Sequence, residues 1–393
     1  MPLSEAELLD LQADAMADDV EIDLAKMSLW TAEQATAYFE SGGTEEPAAA
    51  AVPKAASLRS GNYDRTQLAE AMQRLPRLGN GGATMFDEEL GARRGCYEPR
   101  PEARLRLFTL YGIADNAMST ESWLRKAPAW LETRLVELPG HGFRSKEPLP
   151  PCSGGGALDL PALASQRAAL AEGIADEIQT AAGEQPFALY GFSFGALLFY
   201  EAARILQARR ARNLPLCLCV AGRGAPHVST IDAPTLERIA APDDEGMLSW
   251  MKVIGFGTDN IPAAMRSRAA ALFRGGMLLG AMPYERVGED GTATPECRVA
   301  TSLPAGGKCF WEGGSAVHTD GAAPVSCPVL AVGSAADTTW PANLVARWAD
   351  VAPDAPNGFT GLTLPDVPHN KLMNREEVME AVWAEVAVHA LTE

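Results

Sequence analysis

The stretch that decides the fold runs from residue 186 to residue 209 and reads PFALYGFSFGALLFYEAARILQAR. The apolar run Pro186–Tyr190 predicts a buried strand, and Ala196–Arg209 predicts a helix. Between them, residues 191–195 read GFSFG, a G-x-S-x-G motif. Glycines two positions before and after Ser193 allow the strand to turn sharply into the helix, which holds the serine hydroxyl at the end of the strand. An ordinary glycine-flanked turn is the alternative.

Short apolar runs alternate with helical segments from about residue 105 onward, which is the pattern of parallel βαβ units. The candidate strands are Leu105–Tyr111, Arg134–Leu138, Phe187–Gly191, Leu216–Ala221, Val329–Gly333 and Gly361–Leu364. The candidate helices are Glu121–Leu131, Ala162–Ala182, Ala196–Arg209, Asn343–Val351 and Glu376–Ala390. The sequence therefore predicts an α/β fold with a mostly parallel, doubly wound sheet.

Residues from about 234 to 285 break this alternation. They contain three helix-like pieces, Leu236–Ile239, Gly246–Ile254 and Ala263–Leu279. Their apolar content is high for helices outside a sheet, which predicts a helical lid over a hydrophobic cleft. Core packing is the alternative for the same side chains. The candidates for substrate contact are Met247, Trp250, Met251, Phe273 and Met277. The Gly- and Thr-rich segment 287–324 predicts an extended insertion with no assigned role.

The acidic charge of the chain is concentrated near its start. The 393 residues carry a net charge of −18, whereas residues 1–50 alone hold five Asp and seven Glu against one Lys. We interpret residues 1–43 as a small acidic helical module, which is either a loosely packed or disordered leader, or a docking or dimerisation element. Residues 44–61 form the predicted linker, 62–104 the N-terminal flank of the core, and 105–393 the main domain.

The same charge excludes some classes of partner. Nucleic acids and anionic membrane surfaces both require a basic surface, so neither is expected. The first thirty residues lack the basic and apolar regions of a secretory signal, and they are too acidic for a transit peptide. The sequence therefore predicts a cytoplasmic protein. The seven cysteines include no C-x-x-C pair, and Cys217 and Cys219 lie two apart in a predicted buried strand, where we expect both to be core residues. No metal site is therefore predicted.

A serine hydroxyl becomes an effective nucleophile when a neighbouring base removes its proton during the attack. In folds with this strand–turn–helix serine, an acid and then a histidine follow the serine along the chain. His369 lies in the loop after the last predicted strand and is the predicted base, whereas His389 lies within the apolar terminal helix. Asp337 follows the strand Val329–Gly333 and is the predicted acid. Asp366 is the alternative acid.

The negative charge of the transition state requires two N–H donors that are already in place. The backbone N–H of the residue after the nucleophile, Phe194, is the first predicted donor. The second is expected from the loop after the first core strand, where we predict the N–H of Ile113.

With these residues in place, the chain from about residue 105 to its end resembles the type II thioesterases, stand-alone α/β-hydrolases that serve polyketide synthases and nonribosomal peptide synthetases. Residues 138–144, LPGHGFR, are similar to the family's proline-glycine turn after the second core strand. Residues 221–227, AGRGAPH, are similar to its S-G-R-x-A-P-H segment. Residues 328–337, with Trp348, are similar to its acid strand and helix. The resemblance implies an α/β-hydrolase fold.

Three features depart from the family pattern. Phe192 and Phe194 flank the serine where the family usually has His and Met, which resembles some integrated product-releasing thioesterases. Residues 113–115 replace a glycine-rich oxyanion loop. The acidic module and the 287–324 insertion have no family counterpart. His141 and His227 fall at family positions that are structural, so neither is included in the catalytic set.

The resemblance implies hydrolysis of acyl thioesters that acyl or peptidyl carrier proteins hold on a phosphopantetheine arm, through an acyl-serine and without a cofactor. The implied partner is therefore a carrier protein. Carrier domains are generally acidic, so Arg144 and Lys146 are candidate docking residues. The alternatives are a carboxyl-ester hydrolase, a product-releasing or cyclising acyltransferase, and a non-catalytic relative that acts as a binding partner. The sequence predicts no oligomeric state.

Overall fold

The computed structural model describes part of the chain. The described residues are 100, 102–147, 160–226, 228–229, 233–253, 256–281, 286–287, 293–294, 308–309, 325–353 and 357–392. The predicted acidic module and linker, and the flank before residue 100, lie outside them. In and beside the predicted 287–324 insertion, two short antiparallel pairs are described: Arg286–Val287 with Ala293–Thr294, and Val228–Ser229 with Lys308–Cys309.

Six parallel strands form the main sheet. Along the chain they are β1 (Leu105–Leu110), β2 (Leu131–Leu135), β3 (Phe187–Phe192), β4 (Leu218–Ala221), β5 (Val329–Ser334) and β6 (Phe359–Leu364). Their order across the sheet is β6-β5-β4-β3-β1-β2. The chain direction across the sheet reverses between β1 and β3. In α/β sheets, ligands bind beyond the carboxyl ends of the strands at such a switch point.

Helices cover both faces of this sheet. They are α1 (Glu121–Lys126), α2 (Leu160–Ala182), α3 (Phe194–Ala208), α4 (Ala233–Ala240), α5 (Asp244–Val253), α6 (Arg266–Ala281), α7 (Ala342–Val345), α8 (His369–Leu372) and α9 (Glu376–Thr392). Short 3-10 turns occupy Ala117–Thr120, Gly142–Arg144, Thr258–Asn260, Ala263–Met265 and Ala346–Val351. Every residue of β1 to β5 is buried, as expected for strands covered on both faces. The predicted α/β fold with a parallel sheet is confirmed.

The second strand and the helix before it differ from their predicted bounds. The predicted helix Glu121–Leu131 ends at Lys126 because Pro128 disfavours a helical conformation at the preceding residue, where ψ is 138°. Strand β2 then begins at Leu131 instead of Arg134. Its charged residue Glu132 is buried and accepts hydrogen bonds from Arg106 of β1 at 2.7 Å and from Arg134 at 2.8 Å. These ion pairs allow charged residues to lie inside the sheet.

The segment between β4 and β5 contains α4, α5 and α6, where the sequence predicts three helical pieces. Helix α6 packs against α5, α4, α2 and α3. Of the five predicted substrate contacts, Met247, Met251 and Phe273 are buried, whereas Trp250 and Met277 are partly buried against the core. The role of these helices as a lid stays a prediction.

Candidate active site

Ser193 occupies a strained turn between β3 and α3. Its backbone has φ 50° and ψ −117°. Ser193 is the single residue between the end of the strand at Phe192 and the start of the helix at Phe194. A non-glycine residue in such a conformation costs of the order of 1–3 kcal/mol, and it persists only where the surrounding structure enforces it. The Ser193 N–H donates to the carbonyl of Ala221 on β4 at 2.9 Å, and the side chain does not cap the helix.

The two glycines of the motif allow main-chain segments to approach each other closely. A Cβ on Gly191 would lie 2.4 Å from Cα of Ala196. A Cβ on Gly195 would lie 2.5 Å from the carbonyl oxygens of both Leu110 and Tyr111. Any side chain at either position would therefore push α3 away from β3 and from the end of β1. These contacts give the physical reason for the G-x-S-x-G spacing.

His369, which is partly buried, and Asp337, which is buried, form a pair next to this turn. His369 Nδ1 lies 2.8 Å from Asp337 Oδ2, and the carboxylate is almost fully buried. The other carboxylate oxygen, Oδ1, accepts hydrogen bonds from the N–H groups of Thr339 and Trp340, both at 2.9 Å. This arrangement places the proton of a neutral imidazole on Nδ1 and leaves Nε2 as a proton acceptor.

A serine at the end of β5 joins the loops that carry the acid and the histidine. Ser334 Oγ accepts hydrogen bonds from the N–H groups of Ala336 at 3.2 Å and Val367 at 3.1 Å. The side chain of Asp366, the alternative acid, is exposed. Asp337 is thus the carboxylate that contacts His369. Nothing in the sequence pattern indicated the bridging role of Ser334, because its two partners lie on loops far apart in the chain.

Phe192 packs against the histidine. The two ring centroids are 5.0 Å apart, with the ring planes tilted by 36°. On the other side lies Gly222, where a Cβ would come within 2.7 Å of the Phe192 ring and 3.3 Å of His369 Cε1. Because Gly222 also has φ of 60°, both backbone conformation and space favour glycine there. The sequence marked Phe192 as a departure from the family pattern but did not predict this contact.

Two backbone segments meet beside Ser193 where an oxyanion would form. Phe194 is the first residue of α3, so its N–H belongs to the helix's first turn, where N–H groups have no intrahelical acceptor. The loop after β1 passes close by, since a Cβ on Gly112 would lie 3.4 Å from Ser193 Cβ. The next residues are Ile113 and Ala114, and Ala114 has φ of 60°.

Buried hydrogen bonds fix the position of that loop. The Tyr111 hydroxyl donates to Glu137 Oε1 at 2.5 Å and accepts from the N–H of Leu138 at 2.9 Å. The same Glu137 oxygen accepts from the N–H of Ala117 at 3.2 Å. Burial raises the pKa of Glu137, although its hydrogen bonds oppose the shift. Sequence reasoning missed this pair, which joins the loops after β1 and β2.

An apolar cavity lies next to the nucleophile turn. Its walls come from α6, α2, the start of α3, and the loops after β1 and β2. The lining residues are Ala114, Leu138, Pro139, His141, Leu170, Phe194, Ala271, Leu272, Gly275, Gly276 and Leu279. None of the five predicted substrate contacts lines it. For the three buried ones, the structure agrees with core packing, the alternative that the sequence left open.

The remaining predicted residues have other environments. His141 Nδ1 lies 3.0 Å from the carbonyl oxygen of Pro139, and burial lowers the pKa of its imidazole. His389 Nε2 lies 3.1 Å from Glu385 Oε1 on the terminal helix. His227 lies outside the described residues. Across the described part of the chain no cluster of His, Cys, Asp and Glu could hold a metal ion, and Cys217, Cys219 and Cys327 are buried free thiols.

Part of the chain matches a known protein family. Residues 121–263 match the family model described as "Thioesterase domain". The predicted resemblance to thioesterases is confirmed. The matched segment runs from α1 through Ser193 to the middle of the helical insertion and ends before Asp337 and His369. The roles of the acid and the histidine therefore rest on their geometry.

Two curated relatives of this thioesterase-like chain have names that refer to gramicidin. The gramicidin S biosynthesis protein GrsT of Aneurinibacillus migulanus is 32% identical over 126 residues, 32% of this chain and 43% of that protein. The linear gramicidin dehydrogenase LgrE of Brevibacillus parabrevis is 30% identical over 127 residues, 32% of this chain and 42% of that protein. The chain thus spans less than half the length of these relatives.

A solved structure confirms the predicted α/β-hydrolase fold of this thioesterase-like chain. ClbQ from the colibactin NRPS/PKS pathway superimposes with a TM-score of 0.51 at 13% sequence identity, covering 74% of this chain and 99% of that one. At such low identity the likeness concerns the fold alone. Among the described residues, no helix is long and apolar enough to cross a lipid bilayer.

Proposed function

We propose that this protein is a serine thioesterase that hydrolyses acyl thioesters on the phosphopantetheine arm of carrier proteins. The observation that carries the proposal is the Asp337–His369 pair, whose Oδ2 and Nδ1 atoms are 2.8 Å apart, beside a serine held in a strained turn. The family match over residues 121–263, which contains that serine, supports thioester chemistry over other acyl transfers. The names of the gramicidin biosynthesis relatives support a carrier-bound substrate.

Acylation begins with proton transfer. His369 Nε2 takes the proton of Ser193 Oγ as the oxygen attacks the thioester carbonyl. Asp337 holds the imidazole in the required tautomer and stabilises the imidazolium that forms. The tetrahedral oxyanion accepts hydrogen bonds from the N–H groups of Phe194 and Ile113. When the intermediate collapses, the C–S bond breaks and the sulfur leaves as a thiol with the proton from His369.

Deacylation repeats these steps with water as the nucleophile. His369 takes a proton from water, the hydroxyl adds to the carbonyl of the acyl-serine, and the C–O bond to the enzyme breaks. The proton returns to Ser193 Oγ and the acyl group leaves as a carboxylic acid. One thioester and one water thus give one thiol and one acid, and no cofactor takes part.

Substitution of the nucleophile tests the proposal. We expect Ser193→Ala to lower kcat on acyl-pantetheine and acyl-carrier thioesters by about 10⁴–10⁶-fold, the usual loss for the nucleophile of such a triad. Ser145→Ala, on an exposed position of the loop after β2, is the matched control. Unchanged turnover by Ser193→Ala would disprove the mechanism. A strong preference for matched oxygen esters would instead indicate a carboxyl-ester hydrolase.

A second candidate function is release of a cyclised or transferred product. It is favoured by Phe192 and Phe194, which flank the serine with apolar rings: one packs on the histidine, and the other lines the cavity. Such surfaces disfavour water relative to an internal nucleophile of the substrate. Mass analysis of the products distinguishes a linear acid from a lactone or a transferred ester.

The cytoplasmic location of the protein also stays a prediction.

A further inference from the structure

Helix α6 presents an unusual face to the cavity. Its lining residues are Ala271, Leu272, Gly275, Gly276 and Leu279, which recur at the spacing of one helix face. The centre of that face is a pair of glycines. Each glycine inside a helix costs about 1 kcal/mol relative to alanine, so this pair lowers the stability of α6. The contacts around α6 explain why glycines occupy these two positions.

Gly276 packs directly on the loop that would supply the second oxyanion donor. A Cβ at this position would lie 2.8 Å from Cγ2 and 3.0 Å from Cγ1 of Ile113. Real Cβ atoms do not approach other atoms so closely in a packed interior, so one side would have to move. Any side chain at Gly276 therefore displaces Ile113, whose N–H is the proposed donor.

Gly275 borders the cavity itself. The opposite wall includes Phe194, which follows the nucleophile, and Leu138 and Leu170, which are apolar. His141 is the one ionisable side chain among the described lining residues, and because burial lowers the pKa of its imidazole, the neutral form is favoured. The cavity therefore suits an uncharged, apolar group attached to a carbonyl at Ser193.

Helix α6 cannot easily shift to relieve a new contact, because buried arginines hold its C-terminal end. Arg223 Nη2 donates to the carbonyl of Gly280 at 2.5 Å, and Arg167 Nη1 donates to the carbonyl of Leu279 at 3.4 Å. Near the other end, Arg268 Nη2 donates to the carbonyl of Gly140 at 2.5 Å. A substituent on the glycine pair would thus act on the cavity and the loop.

We propose that Gly275 determines the length of apolar acyl chain that the enzyme accepts, and that Gly276 positions the oxyanion loop through Ile113. The inference rests on the proposed thioesterase function and deepens it by naming the substrate class, an uncharged aliphatic acyl group. Two adjacent glycines on one helix thereby have separable effects: one on selectivity among substrates, and one on the rate for all of them.

Two alanine variants test the proposal with acyl-pantetheine thioesters from acetyl to dodecanoyl. For Gly275→Ala, we expect kcat/KM for the longest chains that the wild type accepts to fall about 10-fold or more, and that for acetyl to stay unchanged. For Gly276→Ala, we expect kcat to fall about 10²-fold for every chain, acetyl included, as for loss or misplacement of an oxyanion donor.

Controls separate these effects from changes in stability. Gly173→Ala is the matched control, since Gly173 lies within helix α2 and a Cβ there would meet no atom within 4 Å. It should leave every rate unchanged. Ile113→Ala removes Cγ1 and Cγ2, the two nearest side-chain atoms that the new methyl group would meet, and keeps Cβ, at 3.3 Å, and the N–H. In the Gly276→Ala background it should therefore restore kcat, and it would also restore folding if the single variant failed to fold.

Ser193→Ala, measured in the same assay, distinguishes failure of this inference from failure of the proposed function. If it abolishes turnover while Gly275→Ala keeps the wild-type chain profile, or Gly276→Ala keeps the wild-type kcat, the inference is wrong and the proposed function stands. A lack of rescue by Ile113→Ala would likewise contradict the role of Gly276. If Ser193→Ala turns over thioesters normally, the proposed function and the inference both fail.

Discussion

Asp337 is bound more completely than a surface carboxylate would be. One oxygen accepts two backbone N–H groups at 2.9 Å, and the other lies 2.8 Å from His369. Both oxygens are therefore occupied and the carboxylate plane is fixed, so the imidazole has one orientation. This observation explains how a loop residue can hold the base in place without support from a strand.

At this scale we predict the effect of removing one negative charge. Asp337→Asn keeps the shape of the side chain but favours the wrong histidine tautomer, and we expect kcat on thioesters to fall about 10⁴-fold while the fold is retained. Asp366→Asn is the matched control, since it lies close to His369 in sequence but is exposed. A larger loss of kcat in the control would return the acid role to Asp366.

Ser193, Asp337 and His369 could be proposed from the sequence because their order along the chain and their place after strands are simple to recognise. The sequence did not predict Ser334, the Tyr111–Glu137 pair or the packing of Phe192 on His369. Each of these contacts joins loops that are distant in sequence. A single sequence gives no information on which loop tips meet, so such contacts became visible only in three dimensions.

At the scale of elements, α6 stands out because buried charge holds it. The guanidinium of Arg223 lies 4.3 Å from the centre of the Trp340 ring and also binds the carbonyl of Gly280. Trp340 in turn donates its N–H to Asp337. One arginine thus connects the end of the cavity helix to the loop of the candidate acid.

We therefore predict that Arg223→Met, which keeps the apolar stem and removes the charge, lowers the free energy of unfolding. The loss of a charged hydrogen bond and of a buried cation–π contact suggests about 2–4 kcal/mol, measured by urea unfolding. Arg266→Met is the control, because Arg266 pairs with the exposed Glu245 on the surface. Equal unfolding midpoints for the two variants would show that the buried contacts contribute nothing.

The elements themselves were largely predictable. Five of the six main strands lie within two residues of their predicted bounds, and β2 begins three residues earlier than predicted. Strands β1, β3, β4 and β5 are covered on both faces and have the continuous apolar sequence that this position needs. The error at β2 has a specific cause. The predicted strand began at Arg134 and left out the charged Glu132, which is buried and forms ion pairs with both Arg106 and Arg134. The pattern of apolar and polar residues shows where charged side chains occur, but it does not show that they are buried as ion pairs.

For the whole molecule, the net charge of −18 does not tell which charged side chains are available to a partner. Arg144, a candidate docking residue, binds Glu147 at 2.7 Å and Glu177 at 3.3 Å, and it donates to the carbonyl of Glu137. Its charge is thus used within the protein. Lys146 is exposed and stays a candidate for contact with an acidic carrier.

The same cluster makes the stability of the whole molecule depend on pH. Burial raises the pKa of Glu177 from 4.5 to about 7, even though Arg144 lowers it. The folded state therefore binds this proton more tightly than the unfolded state, and the resulting stability is present below pH 4.5 and lost as the pH rises to 7. We expect Glu177→Gln to flatten this part of the profile of unfolding free energy against pH.

Urea unfolding at a series of pH values measures that profile. Glu172→Gln is the control, because Glu172 is an exposed residue of the same helix. The expectation would be wrong if Glu177→Gln followed the wild-type profile through this pH range. It would also be wrong if the control changed the profile as much.

During synthesis of the chain, the residues of the candidate site are added at different times, because they follow different strands. Strands β1, β2 and β3 are neighbours at one side of the sheet and leave the ribosome first, whereas β5 and β6 complete the opposite edge last. A nascent chain thus acquires its serine long before its acid and its histidine. On the proposed mechanism, a nascent chain that has not yet added β5 and β6 would carry the candidate nucleophile without its base and would not hydrolyse thioesters.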